Sequence, residues 1–391
     1  MSGTGSSSPV PSTTDPGPEG ATATAARAEV ALVTDPLDVP WLRVARRAMI
    51  SLVLVVALAF PVLFPNPATT SVAMFTLLYV AASSAWNMFS GYSGYMALGQ
   101  AVFFGSGAYC LADVASHWNL HGGVGIFALV PVAGVFAALV AVPVGWISLR
   151  TRRHTFVVIT IAFFFIFQLL AYNLTGLTNG SAGMALPIPP WLSDTYNNYF
   201  YFAALVVAVV AVSLSWAVRR SRFGLELFAI RDDEDRARGL GVRTGQVKLT
   251  AYVLSAFVTG MCGAVYAYYL GSIYPPFAFE AIFDVTIALM GFIGGLGSVS
   301  GPVVGALILE PVQQYLNLRV TSGGTALILF GVLFLVVIRF LPEGIVPSSA
   351  SLIRDILRRR AERSSTSGTP PAVAAGAGGR ARGTKFREVA P

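Results

Sequence analysis

Residues 125–148 read GIFALVPVAGVFAALVAVPVGWIS, which is 24 consecutive residues without a charged side chain. At a rise of 1.5 Å per residue, a helix of this length crosses the ~30 Å hydrocarbon core of a bilayer. The same composition extends on both sides, because residues 48–149 hold one charged side chain, Asp113, and residues 155–218 also hold one, Asp194. A soluble domain needs charge on its outer faces, so these stretches are predicted to lie in a membrane.

The composition of the whole chain agrees with this prediction. Its 391 residues are 55% hydrophobic and 12% charged, which is about half the charged fraction of a typical soluble protein. This composition excludes a soluble enzyme, a nucleic-acid-binding domain and a secreted module. The net charge of +7 therefore does not indicate that the chain binds nucleic acid. Basic residues beside membrane spans usually mark the cytoplasmic side instead. The two cysteines lie in apolar runs without the spacing of a metal site, so no metal is expected.

Ten apolar segments are long enough, or nearly so, to cross the bilayer. They are 48–65, 70–89, 95–112, 125–148, 155–172, 199–218, 249–270, 281–296, 300–317 and 323–341. The third and eighth are rich in glycine and are expected to be broken or of half length. The sequence thus predicts an all-α polytopic membrane protein with about eight to ten transmembrane helices. Residues 41–345 form the expected transmembrane domain, between disordered cytoplasmic tails at 1–40 and, more basic, at 346–391.

Four basic clusters determine the expected topology. They lie at 43–47, 150–153 and 219–248 and from residue 339 onward, and an even number of segments separates each cluster from the next. All four then face one side of the membrane, which the positive-inside rule makes the cytoplasm, so both termini are predicted to be cytoplasmic. The segments also divide five and five, which is compatible with an inverted repeat as in many transporter folds.

The third cluster, residues 219–248, reads RRSRFGLELFAIRDDEDRARGLGVRTGQVK and holds 13 charged residues in 30. A connection that only joins two helices needs a few residues, whereas this one is long. Its acids precede its bases, which favours a short helix. A solvated helical hairpin and a docking surface for a cytoplasmic partner both fit the pattern. The charge density in so apolar a chain favours the docking surface.

This cluster resembles the cytoplasmic coupling loop of ABC-importer permeases of the branched-chain amino-acid family. That family shows Ser-x-x-Gly, then Ala-Ile-Arg-Asp-x-Glu, then Ala-x-x-Leu-Gly-Val, which residues 221–224, 229–234 and 237–242 match. Two more stretches are similar to the family, SGYSGYMALGQAVFFGSGAY at 90–109 and GGLGSVSGPVVGA at 294–306. The residues that the resemblance assigns to coupling with an ATPase are Gly224, Ala229, Ile230, Arg231, Asp232, Glu234, Ala237, Leu240 and Gly241.

The resemblance implies the permease subunit of an ATP-driven importer for branched-chain or related amino acids. Urea and short-amide permeases share the pattern and stay an alternative. A secondary transporter is a weaker alternative, because it has no use for an ATPase docking site. The chain holds no G-x-x-x-x-G-K-[ST] sequence, so no cofactor is expected on it, and a partner subunit would use ATP and Mg²⁺. The family implies two ATPase subunits, a second permease subunit and an extracytoplasmic solute-binding protein, at a bacterial plasma membrane.

Candidates for the substrate pathway come from the glycine-rich spans and the intramembrane acids. Small residues let helix backbones approach, and they also let a helix open toward a solute, so packing alone explains any single glycine equally well. An acid inside a span is costly and often functional, although one near a span's end reaches interfacial water. The candidate residues are Gly94, Leu98, Gly99, Gln100, Phe104, Gly105, Asp284, Gly294, Gly295 and Glu310.

Overall fold

The computed structural model of the chain describes residues 40–118, 121–191 and 193–319, with a few residues between 331 and 345. The tenth expected segment and both expected tails lie almost entirely outside the described residues. The chain divides into two compact units, Met1–Pro65 and Asn66–Pro391. The described part of the first unit is helix α1, Pro40–Leu63, whose apolar stretch Ser51–Leu63 is shorter than a membrane span.

The second unit is built from helices with two very short strands. Its elements are α2 (Pro67–Trp86, continued by a π-helical turn Asn87–Gly91), α3 (Ala101–His117), α4 (Val130–Ser148, preceded by a 3₁₀ helix Val124–Leu129), α5 (Arg153–Asn173), α6 (Thr175–Thr178, followed by a 3₁₀ turn Gly180–Ala182), β1 (Met184–Ala185), α7 (Ser193–Arg220), α8 (Arg222–Asp232), α9 (Glu234–Gly239), α10 (Thr244–Leu270), β2 (Ser272–Ile273), α11 (Pro275–Ala278), α12 (Ala281–Gly294) and α13 (Ser300–Arg319).

Six helical stretches of the described chain are long and apolar enough to cross a membrane. They are Pro67–Gly91, Val124–Ser148, Arg153–Asn173, Thr195–Arg220, Thr244–Leu270 and Pro275–Gly294. The first, third and ninth expected segments are also helical but fall outside this set. The chain is therefore an all-α polytopic membrane protein, as the sequence predicted. The inverted repeat and the full count of eight to ten spans stay predictions.

The third segment is broken at its beginning, whereas its Gly105 and Gly107 lie inside the continuous helix α3. The chain leaves the helical conformation after Ser93, runs irregularly through residues 94–99, and becomes helical again only at Ala101. Gly94 takes a φ of +73° at this break, in the left-handed region that glycine enters without steric cost. The eighth segment is helical as α12, which has 14 residues and ends at Gly294; together with the residues from Pro275 onward it is long enough to cross a membrane.

Helix α10 runs through the core, in backbone contact with α3. A Cβ added at Gly263 would lie 1.9 Å from the carbonyl oxygen of Phe104, and one added at Gly107 would lie 2.2 Å from the carbonyl oxygen of Gly260. These distances leave no room for any side chain. The glycines therefore act here as helix-packing residues, which is their common use in membrane proteins.

The two ends of α10 mark the two ends of the second unit. The charged hairpin α8–α9 precedes its first residue, and β2 follows its last residue, pairing antiparallel with β1 so that Ile273 lies opposite Met184. The 27 residues of α10 separate these ends by about 40 Å. Aromatic side chains gather at the strand end, where Trp191 stacks on Tyr199 with 4.3 Å between ring centroids. We call these the hairpin end and the strand end.

Candidate functional site

The charged hairpin consists of two short helices with side-chain caps at their first turns. Ser221 caps α8 by accepting a hydrogen bond from the Gly224 amide at 3.2 Å. Asp233 caps α9, since its Oδ1 accepts from the amides of Asp235 and Arg236 at 3.1 Å each. Acids in the first turn of α9 and arginines in its last turn complement the helix dipole. The helical conformation expected from the order of charges is thus present.

The inward side of the hairpin is attached to the membrane domain through Arg231. Its guanidinium Nη1 donates to the carbonyl oxygen of Gly91 at 2.8 Å. A Cβ added at Gly297 would lie 2.5 Å from the same nitrogen, and one added at Gly94 would lie 3.1 Å from Arg231 Cγ. The side chain therefore occupies a space left by glycines of two other segments. The three separate sequence motifs meet at this one arginine.

Two further arginines make hydrogen bonds near the Arg231 contact. Arg153, the first residue of α5, donates from Nη2 to the carbonyl oxygens of Ile230 and Arg231 at 2.8 and 2.7 Å. These are among the last carbonyls of α8, which have no partner within their own helix. Arg219 donates to the carbonyl oxygen of Gly297 at 2.7 Å. The hairpin is thus bound to the start of α5, and the end of α7 that leads into it is bound to the turn between α12 and α13.

A buried ionic cluster makes a second attachment. Glu234 Oε1 lies 2.7 Å from Lys248 Nζ, and the Tyr95 hydroxyl donates to the other carboxylate oxygen of Glu234. Lys248 also donates to the Tyr95 hydroxyl at 3.1 Å, and its side chain is 3% exposed. Burial raises the pKa of the Glu234 carboxyl, but the hydrogen bonds from Lys248 and Tyr95 lower it more, so that its pKa lies below the ordinary value. We call this group the Tyr95–Glu234–Lys248 cluster.

The outward side of the hairpin is exposed and partly apolar. Leu240 is 86% exposed and Leu225 is 67% exposed. Asp232 is exposed as well, and Gly241 is exposed with a φ of +93°. The outward side of the hairpin therefore presents both apolar and charged side chains, at the most charged part of the chain.

The residues that the sequence assigned to coupling therefore divide into two groups. Asp232, Leu240 and Gly241 are exposed, whereas Arg231 and Glu234 point inward and bind the membrane domain. The remaining ones are packed under the hairpin: Gly224, Ile230 and Ala237 are buried, and Ala229 is half-buried. Charge pattern alone did not distinguish these groups, because both contain ionic residues. Coupling by any of them stays a prediction.

The candidates in the broken segment form a wedge between α5 and α10. The fully buried Gln100 side chain donates from Nε2 to Ser255 Oγ at 3.1 Å and accepts from Thr259 Oγ1 at 3.3 Å. The Leu98 amide donates to Thr160 Oγ1 at 3.3 Å, and a Cβ on Gly99 would lie 2.5 Å from the carbonyl oxygen of Thr160. The irregular chain thus finds its hydrogen-bond partners in side chains of its neighbours, as backbone at membrane depth must.

The two acids proposed to meet substrate have different surroundings. Asp284 is buried, and its Oδ1 accepts from the Ala101 amide at 3.0 Å, so this carboxylate caps the first turn of α3. Glu310 is also buried; its Oε1 accepts from Gln314 at 2.9 Å, while Oε2 has no hydrogen-bond partner among the described residues. Asp284 therefore has a structural role, and a contact of either acid with substrate stays a prediction.

The other candidates are positions of close packing. A Cβ on Gly294 would lie 1.7 Å from the carbonyl oxygen of Gly301, and Gly295 takes a φ of +116° at the turn after α12. A Cβ on Gly105 would lie 2.4 Å from the ring of Phe279. The ring of Phe104 packs on Phe283, with 4.5 Å between their centroids.

Sequence reasoning missed several residues that complete the site, namely Asn87, Tyr95, Arg153, Arg219 and Lys248. The side-chain amide of Asn87 makes two hydrogen bonds to the turn between α12 and α13. Its Oδ1 accepts from the Gly297 amide at 2.9 Å, and its Nδ2 donates to the Ser298 carbonyl oxygen at 2.8 Å. One signal was available: lysine occurs in the chain only at 248 and 385, against 24 arginines. No group of three or more His, Cys, Asp or Glu in the described residues is placed to hold a metal ion.

Comparisons with known proteins agree with this arrangement. The family model for the permease component of branched-chain amino-acid transport systems matches residues 68–338. LivM of Escherichia coli K12, a permease protein of a high-affinity branched-chain amino-acid transport system, is 28% identical over 322 residues, covering 75% of this chain and 73% of LivM. LivH of Salmonella typhimurium, from the corresponding system, is 25% identical over 232 residues, covering 56% of this chain and 74% of LivH.

A sugar permease is also similar over a shorter stretch: FrcC of Rhizobium meliloti, a fructose import permease, is 30% identical over 147 residues, covering 36% of this chain and 41% of FrcC. No solved structure matches the chain significantly. The family match spans all three motifs that meet at Arg231. The chain belongs to the family of permease components of branched-chain amino-acid transport systems.

Proposed function

We propose that the chain is the membrane-spanning permease subunit of an ATP-driven importer of branched-chain or related amino acids. The family and the relatives LivM and LivH support the substrate class. The two-sided hairpin is the observation that carries the mechanism. Its outward side offers Leu240 and Asp232 to a partner. Its inward side is bonded to the end of α2 through Arg231 and to the broken third segment through Glu234.

The hairpin is built to transmit movement. Arg231 binds Gly91 and Glu234 binds Tyr95, and both of these partners lie in the stretch that leads into α3. Glu234 also binds Lys248, near the start of α10. A displacement of the hairpin by a partner therefore reaches α10 through Lys248 and reaches the irregular residues 94–99 before α3 through Tyr95. Short hydrogen bonds and an ion pair carry it.

The partners follow from this assignment. ATP and Mg²⁺ are used by two separate ATPase subunits, one of which docks on the outward side of this hairpin. A second, related permease subunit completes the membrane domain, and an extracytoplasmic solute-binding protein delivers substrate at the strand end. The hairpin end faces the cytoplasm because the basic clusters gather there. Both termini are then cytoplasmic, in a bacterial plasma membrane.

The test is a single charge at the centre of the outward side, Leu240→Asp. Burying the leucine at a contact contributes about 2 kcal/mol, and an unpaired carboxylate there adds a desolvation cost of about 2 kcal/mol or more. The sum, about 4 kcal/mol, weakens docking of the ATPase by several hundredfold. Co-purification of the ATPase and leucine-stimulated ATP hydrolysis by the reconstituted complex should both be lost. Leu177→Asp, at a leucine on the strand end that is 60% exposed against 86% for Leu240, should keep co-purification.

Retention of both co-purification and stimulated hydrolysis by Leu240→Asp would remove the docking assignment. The substrate class is tested separately, by uptake of labelled leucine, urea and acetamide into proteoliposomes. Leucine uptake that depends on ATP and on the solute-binding protein is the expected result. Uptake of urea or acetamide but not of leucine would indicate a urea or short-amide permease. Leucine uptake in the absence of ATP would indicate a secondary transporter.

A further inference from the structure

A small cavity lies toward the strand end, apart from the hairpin contacts. It has a volume of about 40 Å³ and is lined by residues of α2, α3, α10, α11 and the first turn of α12. About three water-sized groups fill such a volume, which is also the order of size of a branched alkyl group. Its position beside α11 and β2 places it at the end where the solute-binding protein would deliver substrate.

The walls of the cavity are aromatic and support one another. The lining includes the rings of Phe104, Phe283, Tyr266 and Tyr79. Phe104 packs on Phe283 with 4.5 Å between centroids and on Tyr266 with 5.2 Å, and Tyr79 lies 5.9 Å from Phe283. These are the separations of rings in favourable contact. The walls are therefore preformed, and an apolar group that enters does not have to order them.

One charged residue, Glu280, lines the same cavity. It is the N-cap residue of α12, and its side chain makes no cap hydrogen bond. The described residues offer its carboxylate no basic partner, since their ion pairs lie at Asp113, Asp233 and Glu234. An unpaired acid beside aromatic faces is the arrangement that binds a substituted ammonium group, through charge pairing and cation–π attraction. Glu280 is exposed at the start of α12, so its carboxylate can be reached from the strand end.

We propose that this cavity is the strand-end receiving site for the substrate, a zwitterionic amino acid with a branched apolar side chain. Glu280 pairs with the ammonium group, and the rings of Phe104, Phe283, Tyr266 and Tyr79 enclose the alkyl group. The inference rests on the proposed function and adds the residues that recognise the substrate within the permease. It also gives Phe104 a role, while it assigns the ammonium contact to Glu280 rather than to Asp284.

The experiment uses the complete transporter in proteoliposomes with a diazirine analogue of leucine as the photoactivated probe. Label should appear on peptides that contain Phe104 or Tyr79. Glu280→Gln, which keeps the size of the side chain, should lower the labelling at least tenfold. Competition by leucine and by 4-methylpentanoate, which lacks the amino group, gives the specificity: leucine should compete far better in the native complex, and Glu280→Gln should remove this preference.

Asp113→Asn is the matched control, because Asp113 is an acid toward the same end, pairs with His117 and does not line the cavity. It should keep both the labelling and the preference for leucine. A merely structural role of Glu280 would reduce labelling without changing the preference, and that result overturns the proposal. Label confined to other peptides also overturns it. Leucine transport by the native complex with an unlabelled cavity rejects this inference alone, whereas absence of leucine transport rejects the proposed function.

Discussion

Replacement of Lys248 by methionine is the most direct test of how the hairpin is held. The change removes the ammonium group but keeps the apolar stem of a side chain that is 3% exposed. It leaves the Glu234 carboxylate, 18% exposed, with the Tyr95 hydroxyl and with Arg238 at 3.5 Å. Breaking a buried ion pair on one side costs about 3–5 kcal/mol. Because two partners remain, we expect about 3 kcal/mol, or ~100-fold in the equilibrium between attached and detached hairpin.

Hydrogen exchange of the backbone amides in α9 measures this equilibrium, since local opening sets the exchange rate of protected amides. Lys248→Met should lower the opening free energy of α9 by about 3 kcal/mol and reduce leucine-stimulated ATP hydrolysis in parallel. Glu234→Gln added to Lys248→Met should cost less than the sum of the single changes, because it removes the unpaired charge. Arg236→Met is the matched control: Arg236 pairs with Asp233 at 3.0 Å, but both side chains are exposed, so the change should cost less than about 1 kcal/mol.

The reasoning fails if Lys248→Met changes exchange in α9 no more than Arg236→Met does. It fails equally if the Glu234 and Lys248 changes are additive, since a direct contact at 2.7 Å must give a coupling energy. Loss of ATP hydrolysis with unchanged exchange would separate the two effects. Lys248 would then act on the partner and not on the attachment of the hairpin.

Three more predictions concern pH, packing and topology. The lowered pKa of Glu234 means that its stabilisation of the hairpin is complete above pH ~4.5 and is lost as the pH falls through the folded-state pKa; exchange in α9 should show this loss, and Glu234→Gln should not. Gly263→Val should lower the thermal midpoint of the purified protein by several degrees, because no space exists for its side chain, whereas Gly245→Val, with nothing within 4 Å, should not. An impermeant thiol reagent applied to intact cells should label Ser181→Cys and not Asp235→Cys; the reverse pattern would invert the topology.

Composition predicted the spans because a bilayer leaves the backbone few choices, and an apolar stretch without charge must become a helix inside it. Glycine content indicated an interruption near the third segment, but the left-handed φ falls on Gly94, just before the segment that was marked. The direction of a charged side chain was beyond such reasoning. Arg231 and Asp232 are neighbours in one charged run, yet the first binds Gly91 and the second is exposed.

Contacts between distant parts of the chain were also out of reach. Tyr95 and Lys248 are 153 residues apart in the sequence. The residues next to either one give no sign that both side chains will bind Glu234. Asp284 illustrates the same limit. The sequence showed that a carboxylate inside a span is energetically costly, but its partner, the Ala101 amide, is set by the residue at which α3 begins. The cavity needs residues from five helices, so no local pattern marks it.

The glycine contacts between α3 and α10 also bear on where a solute can travel. A Cβ added at Gly107 would lie 2.2 Å from the Gly260 carbonyl oxygen, and one added at Gly263 would lie 1.9 Å from that of Phe104, so no water molecule fits between the two backbones at these positions. A solute that enters beside the ring of Phe104 therefore does not pass between α3 and α10 here. The glycine contacts close this side of the proposed receiving site.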